Sequence, residues 1–257
     1  MSAPRRWPVR RARRVAPLAA LAVLVAIAGL AVAACGSSSS SSPSDTAAAP
    51  PESTAAPDEA ACMAAIESSD WSVAKPICVE AAEAGGAEAM NHLGLDADNN
   101  GDAELARSWW ERAAALGNIN AMNNLALMAR SEGDVESARL WYGKAAELGD
   151  ARAMHHLGRL AQQAGDMELA ESWWQKSAAG GEPWAMYELG VLAKAAGDVA
   201  AARTWWEQAA ELDDSQAMYD LGVLAREAGD MELAESWWRK AAELGSPEAL
   251  DALGQAG

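Results

Sequence analysis

The sequence predicts an all-α fold, a solenoid of helix-turn-helix repeats, on three observations. Ala-Met recurs with its methionine at Met90, Met122, Met154, Met186 and Met218, a spacing of 32 residues, and Leu250 closes the series. Gly-Asp recurs at the same interval, from Gly101-Asp102 through Gly133-Asp134, Gly165-Asp166 and Gly197-Asp198 to Gly229-Asp230. Tryptophan recurs with it, at Trp109, Trp141, Trp173, Trp205 and Trp237. Copies of one parts list at a period of this size are stacked supersecondary units, none of which can bury its apolar face alone.

The N-terminus precedes the repeats and reads as an address. Six arginines before residue 15 are followed by an uncharged, alanine-rich apolar run from Val15 to Ala34, the pattern of a secretory signal peptide. About 20 apolar residues could also span a bilayer as a permanent helix. The end of the run decides between them: Val32-Ala33-Ala34-Cys35 resembles the bacterial lipobox, in which small residues precede a cysteine that is diacylated and becomes the mature N-terminus. Residues 1–34 are therefore expected to be a lipoprotein signal peptide, with Cys35 lipidated and the protein held on the extracytoplasmic face of the membrane by that anchor alone. The residues around Arg5-Arg6 match a twin-arginine signal poorly, so the export route stays open. Removing residues 1–34 takes six arginines and no acid, and the formal charge moves from −17 to −23. So acidic a chain is a poor partner for nucleic-acid phosphates, which call for clustered Lys and Arg. Residues 35–58 are rich in Ser, Pro, Ala and Thr, too poor in large apolar side chains to fold, and read as a disordered tether spanning on the order of 25 to 30 Å.

Residues 59–257 carry the solenoid: a degenerate unit at 59–87, five full units at 88–247 and a half unit at 248–257. Within a unit Met90, Leu93 and Ala97 fall at helical spacing, Asn100-Gly101-Asp102 interrupts, and Leu105, Ala106, Trp109, Trp110 and Ala113 resume. The glycine suits the left-handed position that ends the first helix, and the aspartate suits the N-cap of the second. Between units, Gly149-Asp150, Gly181-Glu182-Pro183 and Gly245-Ser246-Pro247 repeat the punctuation. Unit four ends instead in Asp213-Asp214-Ser215, a less favourable helix end. First helices are built from small residues and second helices from tryptophan, so large packs into small across each pair. Nine of the twelve tryptophans occupy this double position, which marks them as core. Units three and five are nearly identical, and Val135 and Val199 are shared by two and four, as if a two-repeat block had been duplicated. In the degenerate unit Cys62 stands where later units have the Gly of Leu-Gly, and Cys78 where they have the second Trp. These positions face each other across a pair, so a Cys62–Cys78 disulfide is expected in an oxidising envelope, with two buried free thiols as the alternative.

The order Leu157-Gly158, Gly165-Asp166, Ala170, Trp173-Trp174, Lys176, Ala178 and Gly181 resembles the Sel1-like repeat, a branch of the tetratricopeptide-type α/α repeats. The resemblance covers roughly residues 60 to 257. The units are shorter than the family norm, and tandem Trp replaces its usual Trp-Tyr except at Trp141-Tyr142. The resemblance implies a right-handed superhelix whose first helices line a concave face, and a role as a signalling or assembly adaptor. Some cysteine-rich relatives are associated with penicillin binding.

Chemistry is sparse. Ser72-Val73-Ala74-Lys75 matches the S-x-x-K of penicillin-interacting enzymes but has no S-D-N or K-T-G partner. His92, His155 and His156 read as surface polar residues, and adjacent histidines point about 100° apart on a helix. Asp96-Ala97-Asp98-Asn99-Asn100-Gly101 opens like a calcium loop, but its twelfth position is Arg107 where a glutamate is required, so a frayed, solvated helix end is the better reading. No catalytic residue, metal site or cofactor is assigned. Recognition is expected where units differ. The column two residues before Leu-Gly drifts through Asn91, Asn123, His155, Tyr187, Tyr219 and Asp251. Neighbouring columns contribute Arg152, Trp184 and Arg159. The expected partner groove is Asn123, Arg152, His155, Arg159, Trp184, Tyr187 and Tyr219, suited to a peptide with an aromatic anchor or a carboxylate. The expectation is a non-catalytic, monomeric, membrane-anchored scaffold for a protein or peptide partner. A penicillin-interacting enzyme and a structural spacer are the alternatives.

Overall fold

The structure, a computed structural model, describes residues 57–67 and 70–256. The expected signal peptide, Cys35 and nearly all of the tether lie outside the described residues. Among the described residues there are thirteen α-helices and no strand. They pair in order: α1 (Pro57–Glu67) with α2 (Trp71–Glu83), α3 (Ala87–Asn99) with α4 (Ala103–Ala115), and α5 (Ile119–Ser131) with α6 (Val135–Glu147). Then come α7 (Ala151–Gln163) with α8 (Met167–Ala179), α9 (Pro183–Ala195) with α10 (Val199–Ala210), and α11 (Ser215–Glu227) with α12 (Met231–Glu243); α13 (Pro247–Ala256) packs on α12. Each pair also packs on the next, which makes the molecule an α/α solenoid. The first helix starts at Pro57, two residues inside the stretch read as tether, because proline at the first helical position gives up no intrahelical hydrogen bond. No helix among the described residues is long and apolar enough to cross a membrane.

The Gly-Asp pair builds the intra-unit turn of each of the five full units. At Gly165 the backbone takes φ +83°, and the Asp166 N–H donates back to the Ala161 carbonyl at 3.0 Å, closing α7. The Asp166 carboxylate then accepts from the Leu169 N–H at 3.0 Å, opening α8. Asp102, Asp134, Asp198 and Asp230 cap their helices in the same way, each contributing about 1 kcal/mol. Where the other inter-unit turns use glycine, Asp213 is forced to φ +62°, the one non-glycine residue at positive φ among those described.

The core keeps a register that repeats down the array. Trp110, Trp174, Trp206 and Trp238 are buried, each against a glycine of the facing helix: Gly94, Gly158, Gly190 and Gly222. In the second unit both members change together, to Tyr142 and Ala126. In the degenerate unit the same two positions hold Cys62 and Cys78, both fully buried and joined by a disulfide with Cα atoms 4.7 Å apart. Three of the four indoles donate to a carbonyl nineteen residues earlier at 3.2 Å: Trp110 to Asn91, Trp206 to Tyr187, and Trp238 to Tyr219. The first tryptophan of each pair is only half-buried. A cation one turn on covers its ring in four units, with Arg112, Lys144, Lys176 and Lys240 lying 3.9 to 4.3 Å from the ring centroids. The double position is thus half core and half cation-covered surface.

Two expectations about polar residues are corrected. Asp96 is no solvated helix end: its carboxylate pairs with the Lys75 ammonium at 2.8 Å and accepts from the Asn100 amide at 3.1 Å. Both side chains of the Ser72/Lys75 motif are thus engaged with other residues, since the Ser72 hydroxyl donates to Asp70 at 2.6 Å in the cap of α2. His155 is not a surface residue but is 4 % exposed, and His92 and His156 are half-buried.

Candidate functional site

A cavity of about 620 Å³ lies where the units break their own pattern. Arg130 of α5 and Tyr142 of α6 form one end, His155, His156 and Arg159 of α7 the floor, and Trp184, Tyr187 and Glu188 of α9 the far wall. Asp213, Asp214 and Gln216 close it at the turn into α11. Tyr142 is the sole non-indole in the second-Trp column of the five full units, and Trp184 is the tryptophan of those units outside the double position. The departures are scattered over three units in sequence and meet in space.

Several polar atoms at these irregular positions are buried without a hydrogen-bond partner within the protein. Tyr142 is smaller than the indole it replaces, and its hydroxyl is buried with no hydrogen-bond partner within the protein; burial pushes its pKa up. Both ring nitrogens of His155 are likewise buried and unpartnered. Trp174 is the one core indole without its carbonyl acceptor, and the residue nineteen before it is His155. The His156 ring stacks on Tyr142 with centroids 4.7 Å apart, and the Trp184 ring tilts over His155 at 5.9 Å. Trp184 itself is 55 % exposed. Both histidines are held down to about 4, first by burial and then by neighbouring positive charge: His156 and Arg159 act on His155, while Arg130, Arg159 and Arg152 act on His156. At neutral pH they are uncharged rings, each with one donor and one acceptor nitrogen.

The charge in the cavity is divided. Arg159 makes a loose ion pair with Glu188 at 3.8 Å, and Arg130 makes no ion pair among the described residues. Burial raises the Glu188 carboxyl, with Arg159 acting in the opposite direction. Asp214 is occupied as the cap of α11, accepting from the Ala217 N–H at 2.7 Å. Of the expected groove, the structure brings His155, Arg159, Trp184 and Tyr187 together. Asn123 is turned away, its amide donating to Asp150, and Arg152 and Tyr219 do not line the cavity. The Tyr187 hydroxyl donates to Asp220 of the next unit at 3.1 Å, so that residue presents its ring edge. Arg130, Tyr142, His156 and Glu188 are lining residues that the variable column did not reveal. Tyr142 had a signal, as the break in the tryptophan column; Arg130, at the end of a first helix, had none. No group of three or more His, Cys, Asp or Glu side chains among the described residues could hold a metal ion.

A stack of helix pairs with a cavity at one set of irregular units is an α/α repeat protein built to present surface. Five consecutive stretches, 87–118, 119–150, 151–182, 185–214 and 215–246, match the Sel1 repeat, and the chain belongs to that family. Sel1 and tetratricopeptide-like repeat proteins generally act as protein-interaction scaffolds. The structure is similar to that of c5321, a protective antigen of uropathogenic Escherichia coli with an SLR fold, at TM-score 0.65 and 26% identity. The match covers 77% of this chain and 48% of that one, so this chain spans about half of the antigen's length. A Sel1 repeat protein from Oxalobacter formigenes matches at TM-score 0.59 and 26% identity, over 67% of this chain and 78% of that one. The pilF protein of Pseudomonas aeruginosa shares the fold at TM-score 0.60 and 19% identity, over 77% and 96%. No curated protein matches the sequence.

Proposed function

We propose that the chain is a lipoprotein of the bacterial envelope that recruits a protein or peptide partner through the cavity between α5 and α11. The convergence of the array's irregular residues carries this reading. Positions that a repeat holds constant serve the stack alone, whereas Tyr142 and His155 carry buried polar atoms with no hydrogen-bond partner within the protein and Trp184 stands half-exposed beside them. The half-exposed Trp184 beside Tyr187 supplies the aromatic anchor typical of recognition surfaces. The arginine-rich leader and the small residues before Cys35 support export and acylation, which hold the solenoid outside the membrane and in reach of envelope partners.

Crosslinking in the native envelope, with identification of the captured protein, tests the reading. A partner lost on replacing Trp184 and Tyr187 together by alanine supports it, and one retained unchanged refutes it. Incorporation of an alkyne-fatty-acid label that disappears in Cys35→Ala tests the anchor; a label that persists in the variant, or never appears, removes the lipoprotein reading.

A further inference from the structure

The geometry points to a carboxylate as the group this cavity receives: we propose that it binds the C-terminal residue of a partner polypeptide, with an apolar or aromatic last side chain. The inference rests on the cavity being a partner site, as proposed above, and names the chemistry of what enters it.

The donors decide the chemistry. Tyr142 Oη and the His155 ring are uncommitted within the protein, and Arg130 has no acid within ion-pair distance among the described residues. All three line the same cavity, and Arg159, 51 % exposed at its side chain and only loosely held by Glu188, lines it too. A guanidinium, a phenol O–H and an imidazole N–H, carried by residues that line one space, match a planar group with several lone pairs, and a carboxylate has about four acceptor sites. The surrounding charge favours one such group and disfavours a highly charged ligand. Arginines stand at the α5–α7 end, while Glu188, Asp213 and Asp214 stand toward α11 and would repel a phosphate-rich molecule or an acidic tract. A chain terminus meets both conditions. It puts a single negative charge at the basic end, and the chain leading away carries amide N–H donors past the acidic end. The Trp184 and Tyr187 rings lie between the two ends and give the last side chain an apolar wall.

The test uses the detergent-solubilised full-length protein and an N-acetylated hexapeptide library, random at its last three positions, made both as free acids and as C-terminal amides. The expected result is at least a tenfold preference for the free acids, with apolar or aromatic residues selected at the last position. For the best peptide, Arg130→Ala and Tyr142→Phe should each weaken the acid fivefold or more and leave its amide unchanged. Tyr142→Phe should melt no lower than the parent, because its hydroxyl makes no hydrogen bond, so its loss of binding is not a loss of fold. Acids and amides bound alike overturn the inference; if both are then lost in Trp184→Ala with Tyr187→Ala, the partner site stands and only its chemistry is wrong. Failure to select any peptide, while the envelope crosslink still depends on Trp184, overturns it as well. Indole-3-propionate binding as tightly as the best peptide would assign the site to small aromatic acids and refute a polypeptide terminus.

Discussion

Glycine to alanine inside a helix is normally stabilising by about 1 kcal/mol, because alanine restricts the unfolded chain and has the higher helix propensity. The register of this array reverses that sign at one glycine and keeps it at another. Gly190 faces Trp206, and a methyl group built on it would come within 3.0 Å of Nε1, Cδ1 and Cε2 of that indole. Trp206 is 1 % exposed and cannot swing aside without giving up its hydrogen bond to the Tyr187 carbonyl. Overpacking of this kind costs about 1–3 kcal/mol and a lost hydrogen bond about 1 kcal/mol more. After the propensity gain of about 1 kcal/mol is set against these, Gly190→Ala should destabilise by about 1–3 kcal/mol. Gly143, in the interior of α6, has no atom within 4 Å of the same methyl position. Gly143→Ala should therefore stabilise by about 1 kcal/mol, a rise of about 2–4 °C for a chain of this size.

The array also supplies the rescue. Its second unit pairs Ala126 with Tyr142, so adding Trp206→Tyr to Gly190→Ala recreates a combination the fold already uses. The double variant should be more stable than the two single effects sum to by about 1 kcal/mol or more. Urea denaturation monitored by far-UV circular dichroism reads the parent, Gly143→Ala, Gly190→Ala, Trp206→Tyr and the double variant. If Gly190→Ala stabilises as Gly143→Ala does, or if the double variant is simply additive, the glycine is not there to admit the indole and the packing argument falls.

The same structure fixes three further outcomes. His155 sits at about 4 when folded and near 6.5 when unfolded, so the unfolded chain takes up its proton first and stability falls as pH drops below about 6.5. The loss for this residue is about 2 kcal/mol by about pH 5. His156 acts in the same direction. Glu182, Glu188, Asp214 and Asp220, all raised chiefly by burial, act oppositely at lower pH. His155→Asn, which borrows the residue of the first two units, should flatten the slope between about pH 7 and 5 in chemical denaturation; an unchanged slope rejects the assignment. In the fourth unit Gln208 stands where the other four place the cation that covers the first tryptophan, and Gln208→Lys should raise stability by about 0.5–1 kcal/mol, measured as a urea midpoint, whereas a neutral or lower midpoint contradicts the role given to those cations. The Cys62–Cys78 bridge, its ends separated by 16 residues in sequence, contributes about 3 kcal/mol to its own pair of helices. Reduction should raise amide exchange in α1 and α2 and leave α9 to α12 unchanged, because stability in a solenoid passes between neighbours; uniform loss of protection would show a single cooperative unit instead.

The fold is legible in the sequence because each unit states its own register. Ala-Met, Leu-Gly, Gly-Asp and Trp-Trp mark helix, contact, turn and contact, and applying the register to the degenerate unit places Cys62 opposite Cys78. The site is legible only in part. His155, Arg159, Trp184 and Tyr187 come from first helices, whose variable columns can be compared unit by unit. The burial of His155 cannot be seen that way, because the comparison of columns reports side-chain variety and not what packs over a position, and here Trp184, 29 residues on, tilts across the ring. Arg130 enters the site from the end of α5 and Tyr142 from a second helix, so neither belongs to the columns compared. The environment of Asp96 is hidden for the same reason: its partner, Lys75, lies in the preceding unit, and helix periodicity reports nothing about a neighbour's charge.

The energetics of the irregular units bear on why they persist. Tyr142 Oη, both His155 nitrogens and Trp174 Nε1 are buried without partners, and each such group costs about 1–3 kcal/mol against a paired one. The array contains the remedy at its regular register positions, where a tryptophan faces a glycine and donates to a carbonyl. A chain that can copy whole units, as the near identity of the third and fifth shows, has a ready route to remove these costs by replacing the irregular units with regular ones. The Tyr142 and His155 groups belong to residues that line one cavity, so a ligand entering it can offset their share of the loss. Trp71 Nε1 and Asn123 Oδ1 are buried without partners on residues outside that cavity, so an unpaired group alone does not mark a site; the proposed partner site rests on Tyr142 and His155 standing together with an exposed indole and an arginine without an acid.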